Sequence, residues 1–217
     1  MQPGRFITIE GGEGVGKSTQ IATVRATLQD AGFDVLLTRE PGGTERAERI
    51  RDLLLAPTAE PMPQSCELLL MFAARATHIE NVILPALARG TWVVCDRFTD
   101  ATYAYQGAGR NMPRDQIALL EQLVQRDFRP QLTLLLDAPV ELAMQRARAR
   151  NSQQGNAAGD RFEREQMSFF ERVRAGYLAI AKAEPQRVRV IDAARDIAIV
   201  EADVRAVIAN FIRTVQA

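Results

Sequence analysis

One stretch limits the fold of this chain more than any other. Residues 11–18 read GGEGVGKS and match G-x-x-x-x-G-K-[ST] through Gly11, Gly16, Lys17 and Ser18. They follow an apolar run, FITIE, and open a helical pattern, which is the context such a loop requires. Glycines let the backbone curl until successive N–H groups point at phosphate oxygens. The helix that follows adds a partial positive charge at its first turn. Lys17 is then placed to reach the outer phosphates of a nucleotide, and Ser18 to offer an oxygen to Mg²⁺. Gly11, Gly12, Glu13, Gly14, Val15, Gly16, Lys17, Ser18 and Thr19 form the predicted nucleotide-phosphate site.

Such a loop joins a strand to a helix, and the rest of the chain repeats that alternation. Short β-like runs occur at 6–10, 34–38, 92–96, 132–137 and 187–192. WVVCD and LTLLLD are almost continuously apolar, as strands buried on both faces are. Helical spacing fills the gaps at 17–31, 45–55, 64–89, 114–126, 140–150, 163–183 and 197–215. The pattern predicts an α/β fold, a five-stranded parallel sheet flanked by helices in three layers. Residues 56–63, with Pro57, Pro61 and Pro63, read as a loop. Residues 151–159, NSQQGNAAG, read as a surface loop or as a moving lid. Neither is an interdomain linker, so residues 1–217 are read as one domain.

Composition narrows the function. The 27 basic and 27 acidic side chains cancel, which argues against a dedicated nucleic-acid binder. With 47% hydrophobic and 25% charged residues the chain is not disordered. Cys66 and Cys95 make no disulfide framework or zinc spacing. The single histidine, His78, leaves little room for a Ser–His–Asp system and reads as a polar helix position. The N-terminal residues lack signal-peptide character, and no apolar run reaches the roughly 20 residues that span a bilayer. A cytoplasmic protein with no membrane partner is expected. Only Lys17 and Lys182 are lysines, and one of them falls in the Gly-rich loop.

The guanine-binding and switch motifs of GTPases are absent from the sequence, and motor or transporter ATPases are larger. A small P-loop kinase remains, with a catalytically silent nucleotide switch as the alternative. In open α/β sheets, ligands bind beyond the carboxyl ends of the strands. Glu40 follows the second run, and Asp96 and Arg97 end the third. Arg51 and Arg75 lie on the helices between. Arginines converging on one pocket suggest an anionic acceptor, which favours the kinase over the switch. Arg49 is read as solvated surface.

GGEGVGKST, TREPGGT, MFAAR, DRFTDATYAYQG and DRFE occur in this order along the chain. Together they resemble the bacterial thymidylate kinase family, a P-loop kinase fold with a mobile lid. The resemblance implies transfer of the γ-phosphoryl of ATP to dTMP with Mg²⁺, in a homodimer. It implies that Arg97 and Arg51 bind the dTMP phosphate and that Arg75 hydrogen-bonds thymine. Thr102 and Gln106 fall where the family contacts the base, and Tyr105 where a tyrosine packs near the sugar. Glu13 is the acid of the loop; Glu40 and Asp96 are candidates for ordering Mg²⁺ and its waters, beside Ser18. The family's thymine-stacking Phe position holds Met71 here, with Phe72 next to it; Phe72 is the expected ring. The lid is expected over 146–164, with Arg150 and Arg161 as its transition-state arginines and Arg146 third. The NSQQGNAAG stretch is longer than is usual for the family at this place.

Such a kinase would need no general base. A phosphate monoester has a second pKa near 6 and is largely a dianion at neutral pH. Catalysis is then positioning and charge neutralisation.

Overall fold

The computed structural model describes residues 3–56, 59–153, 161–162 and 165–216. Its sheet consists of β1 (Phe6–Glu10), β2 (Val35–Arg39), β3 (Trp92–Asp96), β4 (Leu132–Asp137) and β5 (Val188–Asp192). All pairs are parallel, in the order β2-β3-β1-β4-β5. Helices α1 (Lys17–Asp30) and α2 (Glu45–Leu55) flank β2 in the chain. A long helical segment follows: α3 (Gln64–His78), a π-helical turn Ile79–Ile83, and α4 (Leu84–Ala88). Then come α5 (Thr99–Thr102), which runs on as a π-helical stretch Tyr103–Gly109, and α6 (Arg114–Gln125). Helices α7 (Val140–Gln153), α8 (Met167–Ala183) and α9 (Ile197–Gln216) complete the chain.

Three layers follow from strand alternation. In β4, Leu134 and Leu136 face a core shared with Val24 and Leu28 of α1 and Val204 and Ile208 of α9. Leu135 points the other way, into a core with Phe170, Val173 and Tyr177 of α8. Phe6, Val93 and Cys95 pack on that second side against Ile79, Ile83 and Phe98. Strand β1 lies at the centre, between β3 and β4, so its Gly-rich loop leaves the middle of the sheet. The chain passes β3 to reach β2, then later crosses to β4 and β5. That reversal opens a crevice at the strand ends.

Two local departures from the sequence pattern have physical causes. The helix expected over 64–89 contains the π-turn, one turn ahead of Pro85. Proline supplies no N–H and crowds the carbonyl four residues back, so the ladder widens there. The helix over 99–109 is not legible in the sequence because two glycines, two threonines and two tyrosines in TDATYAYQGAG offset its alanines. Packing on α8 creates it: a Cβ on Gly176 would lie 2.7 Å from the Ala108 Cβ. Of the expected lid, residues 154–160 and 163–164 lie outside the described residues, which removes most of NSQQGNAAG and Glu163 from view.

Candidate active site

The Gly-rich loop turns through left-handed backbone before α1 begins. Gly16 stands before the first helical residue with φ 90°, and Gly14 has φ 71°. A Cβ on Gly14 would fall 1.8 Å from the carbonyl oxygen of Ala143, so only glycine lets the loop lie against α7. Val15 is buried in the core beneath and anchors the loop. Lys17 Nζ donates to the carbonyls of Gly12 at 2.9 Å and Gly11 at 3.4 Å, which holds the ammonium over the loop. Burial lowers the Lys17 pKa, and Arg97 lowers it further against the pull of Glu13.

A cleft of about 490 Å³ opens above this loop. That is the size range of small-molecule sites. Lys17, Ser18 and Thr19 line one part of it, with Arg146, Arg150, Arg195 and Ile197. Glu40, Arg51, Arg75, Arg97, Thr102 and Tyr105 line another.

Arg97 ends β3 with φ 67°, a left-handed conformation that costs a non-glycine residue about 1–2 kcal/mol. Its Nη1 donates to the Gly11 carbonyl at 2.8 Å and to the Tyr177 hydroxyl at 3.1 Å. Its Nη2 donates to Glu13 Oε1 at 2.5 Å, and its plane lies 4.8 Å from the Tyr105 ring centre. Burial would raise the Glu13 carboxyl, but Arg97 and Lys17 outweigh it and hold the pKa at about 2. The Tyr105 hydroxyl also donates to Glu13, at 3.1 Å.

Arg75 is buried between the rings of Phe72 and Phe98, at 4.8 and 5.2 Å. Its Nε donates to Glu40 Oε2 at 2.7 Å and its Nη2 to the Thr102 hydroxyl at 3.0 Å. Its Nη1 is buried with no hydrogen-bond partner among the described residues. Glu40 also meets His78 Nδ1 at 3.0 Å, and Nε2 of the same ring meets the Thr38 hydroxyl at 2.6 Å. His78 is thus a fully buried brace of the β2–α2 loop, a more specific role than a polar helix position. Arg51 Nη1 donates to the Pro41 carbonyl at 2.9 Å.

A nucleotide-phosphate loop and an arginine pocket therefore share one cleft. The thymidylate kinase family model matches residues 9–204. The chain belongs to the thymidylate kinase family. It is 58% identical over 207 residues to the thymidylate kinase of Chromohalobacter salexigens, covering 95% of each chain. It is 58% identical over 199 residues to that of Pseudomonas syringae pv. tomato, covering 92% of each. The crystal structure of thymidylate kinase from Ehrlichia chaffeensis superposes with a TM-score of 0.73 at 35% identity, over 94% of this chain and 99% of that one.

Within this member of the family, most residues singled out from sequence do meet at the cleft. Glu13, Gly14, Val15, Gly16, Lys17, Ser18, Thr19, Glu40, Arg51, Arg75, Asp96, Arg97, Thr102, Tyr105, Gln106 and Arg150 all line it. Gly11 and Gly12 supply the carbonyls beneath Lys17. Arg49 is solvated, paired with Glu45 on the surface.

Two of the expected residues stand outside the cleft wall. Phe72 is not in the cleft wall; it is buried with Leu68, Met112 and Ile117, and the Arg75 guanidinium covers its ring. Met71 lines the cleft instead. Both residues lie one turn from Arg75, so spacing alone could not choose the side. Arg161 is not in the wall either. Its Nη2 pairs with Glu67 Oε2 at 2.6 Å, and its Nε donates to the Leu54 carbonyl at 2.8 Å. The buried Glu67 carboxylate draws cations inward, and Arg110 approaches it as well.

Sequence reading missed Glu67, which accepts from Gln106 Nε2 at 2.7 Å and so orients a cleft residue. It also missed Tyr177, whose spacing with Phe170 and Val173 reads as core packing alone. Phe162 was seen only as part of DRFE, yet it lines the cleft edge-on to Tyr105. Glu10 was passed over too, although an acid closing a fully buried strand is a legible anomaly.

Proposed function

We infer that this chain transfers the γ-phosphoryl group of ATP to dTMP, giving ADP and dTDP, a step toward dTTP. The observation that carries this reading is the single cleft that joins the phosphate loop to the Arg51, Arg75 and Arg97 pocket. The loop and Lys17 cradle the ATP phosphates. Arg97 and Arg51 take the phosphate of dTMP. Two polyanions must approach each other, so neutralising charge is the main chemical task, and no proton acceptor is required. Arg97 suits it, since its guanidinium is held on both nitrogens before any ligand arrives.

The base is read by Arg75, Thr102 and Gln106. Arg75 Nη1 offers a fixed, unused donor for a ring carbonyl. Gln106 gives its amide nitrogen to Glu67, which leaves its amide oxygen to accept a ring N–H. Met71 supplies an apolar side to the pocket, and Tyr105 occupies the sugar side. Arg146 and Arg150 stand beyond the loop as the arginines of a lid over 146–164 within one domain.

The donor set fits Mg²⁺ held largely by water and phosphate. Asp96 Oδ1 is a buried acceptor with no partner among the described residues, on the same cleft as the Ser18 hydroxyl. Among the described residues no group of three acidic, His or Cys side chains forms a cage, and Mg²⁺ in phosphoryl-transfer sites does not need one. Ser18 and Asp96, with Glu40 nearby on the cleft, would hold the ion's shell, and the ion would offset phosphate charge. A homodimer is part of the same reading, supported by the exposed Leu53, Leu69, Leu119 and Leu123 on α2, α3 and α6. So is a cytoplasmic location; no described helix is long and apolar enough to cross a membrane.

The test is ADP release by purified protein with Mg²⁺-ATP, with and without millimolar dTMP. No dTMP-dependent release sinks the reading. Equal turnover of UMP, CMP or AMP in the same assay removes the roles given to Arg75, Gln106 and Tyr105.

A further inference from the structure

We propose that Glu10 and Tyr177 are positioning residues for Arg97, which they grip at both ends through one buried hydrogen-bond chain. The proposal rests on the phosphate-binding role of Arg97 given above.

Arg97 needs support, because a left-handed arginine persists only where its surroundings over-determine it. Its own N–H donates to the Ile9 carbonyl at 3.0 Å. The next N–H, of Phe98, donates to Glu10 Oε1 at 2.6 Å. Glu10 is the last residue of β1, so its side chain ties the turn after β3 to the strand that launches the phosphate loop. Its second oxygen, Oε2, accepts from the Tyr177 hydroxyl at 2.8 Å. The Tyr177 oxygen in turn accepts from Arg97 Nη1 at 3.1 Å. One carboxyl thereby fixes the backbone just after Arg97 and, through a phenol, its guanidinium.

The bookkeeping of donors shows what this achieves. Nη1 has two hydrogens, taken by Gly11 and Tyr177; Nη2 gives one to Glu13. The Tyr105 ring lies against the same guanidinium. A planar fork held on both Nη1 and Nη2 has one fixed orientation toward a phosphate. Tyr177 supplies one of the contacts that set this orientation.

Packing alone does not call for these groups. Glu10 is fully buried and does not line the cleft, and burial with Asp100 nearby pushes its carboxyl up to about 8. An acid is a costly filler for a core. The Tyr177 ring sits edge-on to Tyr105, and phenylalanine would keep that contact. Only the hydroxyl reaches Arg97.

Tyr177→Phe is therefore the primary test, read by steady-state kinetics and a double-mutant cycle. The expected result is a loss of about tenfold or more in kcat/KM for dTMP, with the KM for ATP unchanged. In an Arg97→Ala background, adding Tyr177→Phe should cost nothing further, because the group it positions is gone. Glu10→Leu, which removes both oxygens and so both links, to Phe98 and to Tyr177, should shift dTMP kinetics in the same direction and serves should Tyr177→Phe fail to fold. Unchanged dTMP kinetics in a folded Tyr177→Phe enzyme, or full additivity with Arg97→Ala, overturns the proposal. An Arg97→Ala enzyme with normal dTMP kinetics would instead refute the phosphate role of Arg97, and this proposal with it.

Discussion

Arg97 Nη2 lies 2.5 Å from Glu13 Oε1, a charge pair that ties the end of β3 to the centre of the phosphate loop. Both side chains are mostly shielded from water. On the function proposed above, an incoming dianion would meet an arginine already neutralised once and would share it with Glu13. Arg97→Ala should therefore lower kcat/KM for dTMP by roughly 2–5 kcal/mol, the cost of breaking a shielded, hydrogen-bonded charge contact. Initial rates against dTMP check this, and an unaltered dTMP dependence would move the phosphate elsewhere.

Lys17 is pinned to the Gly11 and Gly12 carbonyls of its own loop. Lys17→Ala should cut turnover by about 10²–10³-fold, the usual loss for one preorganised electrostatic donor. The circular dichroism spectrum and melting temperature should stay near wild type. A fully active variant would remove Lys17 from the chemistry.

Gly14 tests the loop as a packed object. An alanine there would meet the Ala143 backbone and hold a left-handed conformation. Gly14→Ala is expected to cost roughly 2–5 kcal/mol of stability, from overpacking and strain together. Urea denaturation measures it; a variant as stable as wild type would mean that α7 yields freely.

Glu40 is braced by Arg75 and His78, all three buried. Glu40→Ala leaves Arg75 charged and unpaired, so a loss of about 3–5 kcal/mol is expected. Glu40→Gln should lose less, since an amide oxygen still accepts from Arg75. Melting curves that do not separate the two variants would contradict the pairing.

Glu10 sets a pH dependence. Its carboxyl rises from the ordinary 4.5 to about 8, first through burial and then through Asp100. Below 4.5 it is protonated in both folded and unfolded chains, and its favourable contribution is fully present. Between those values the folded chain holds the proton and the unfolded chain does not, so stability falls as pH rises through about 8. Glu13 moves the opposite way, its contribution lost only as pH drops toward about 2, outside this window. Urea titrations at pH 5, 7 and 9 should show a decline in wild type that is shallower in Glu10→Gln. Parallel curves would exclude the shift.

Much of the architecture was legible in one dimension. Strands β1, β3 and β4 begin and end where the apolar runs do, because a strand covered on both faces has no polar alternation to blur its limits. The Gly-rich loop carries its own backbone requirement in its glycines. Arg97 and Arg75 stood out because they follow or face strand ends. The helix over 99–109 was not legible, since its stability comes from α8 rather than from its own residues.

What the sequence determined by itself was therefore the α/β order, the phosphate loop and the set of arginines available for an anionic acceptor. These rest on local spacing and on backbone rules that act within a few residues. Only the tertiary structure decided which of two adjacent side chains, Met71 or Phe72, meets the cleft, and that Arg161 turns to Glu67 instead. It also joined Glu10 to Phe98 and Tyr177, 88 and 167 residues away in the chain. A buried polar group must find its partner wherever the fold brings one, and no periodicity along the chain encodes that distance.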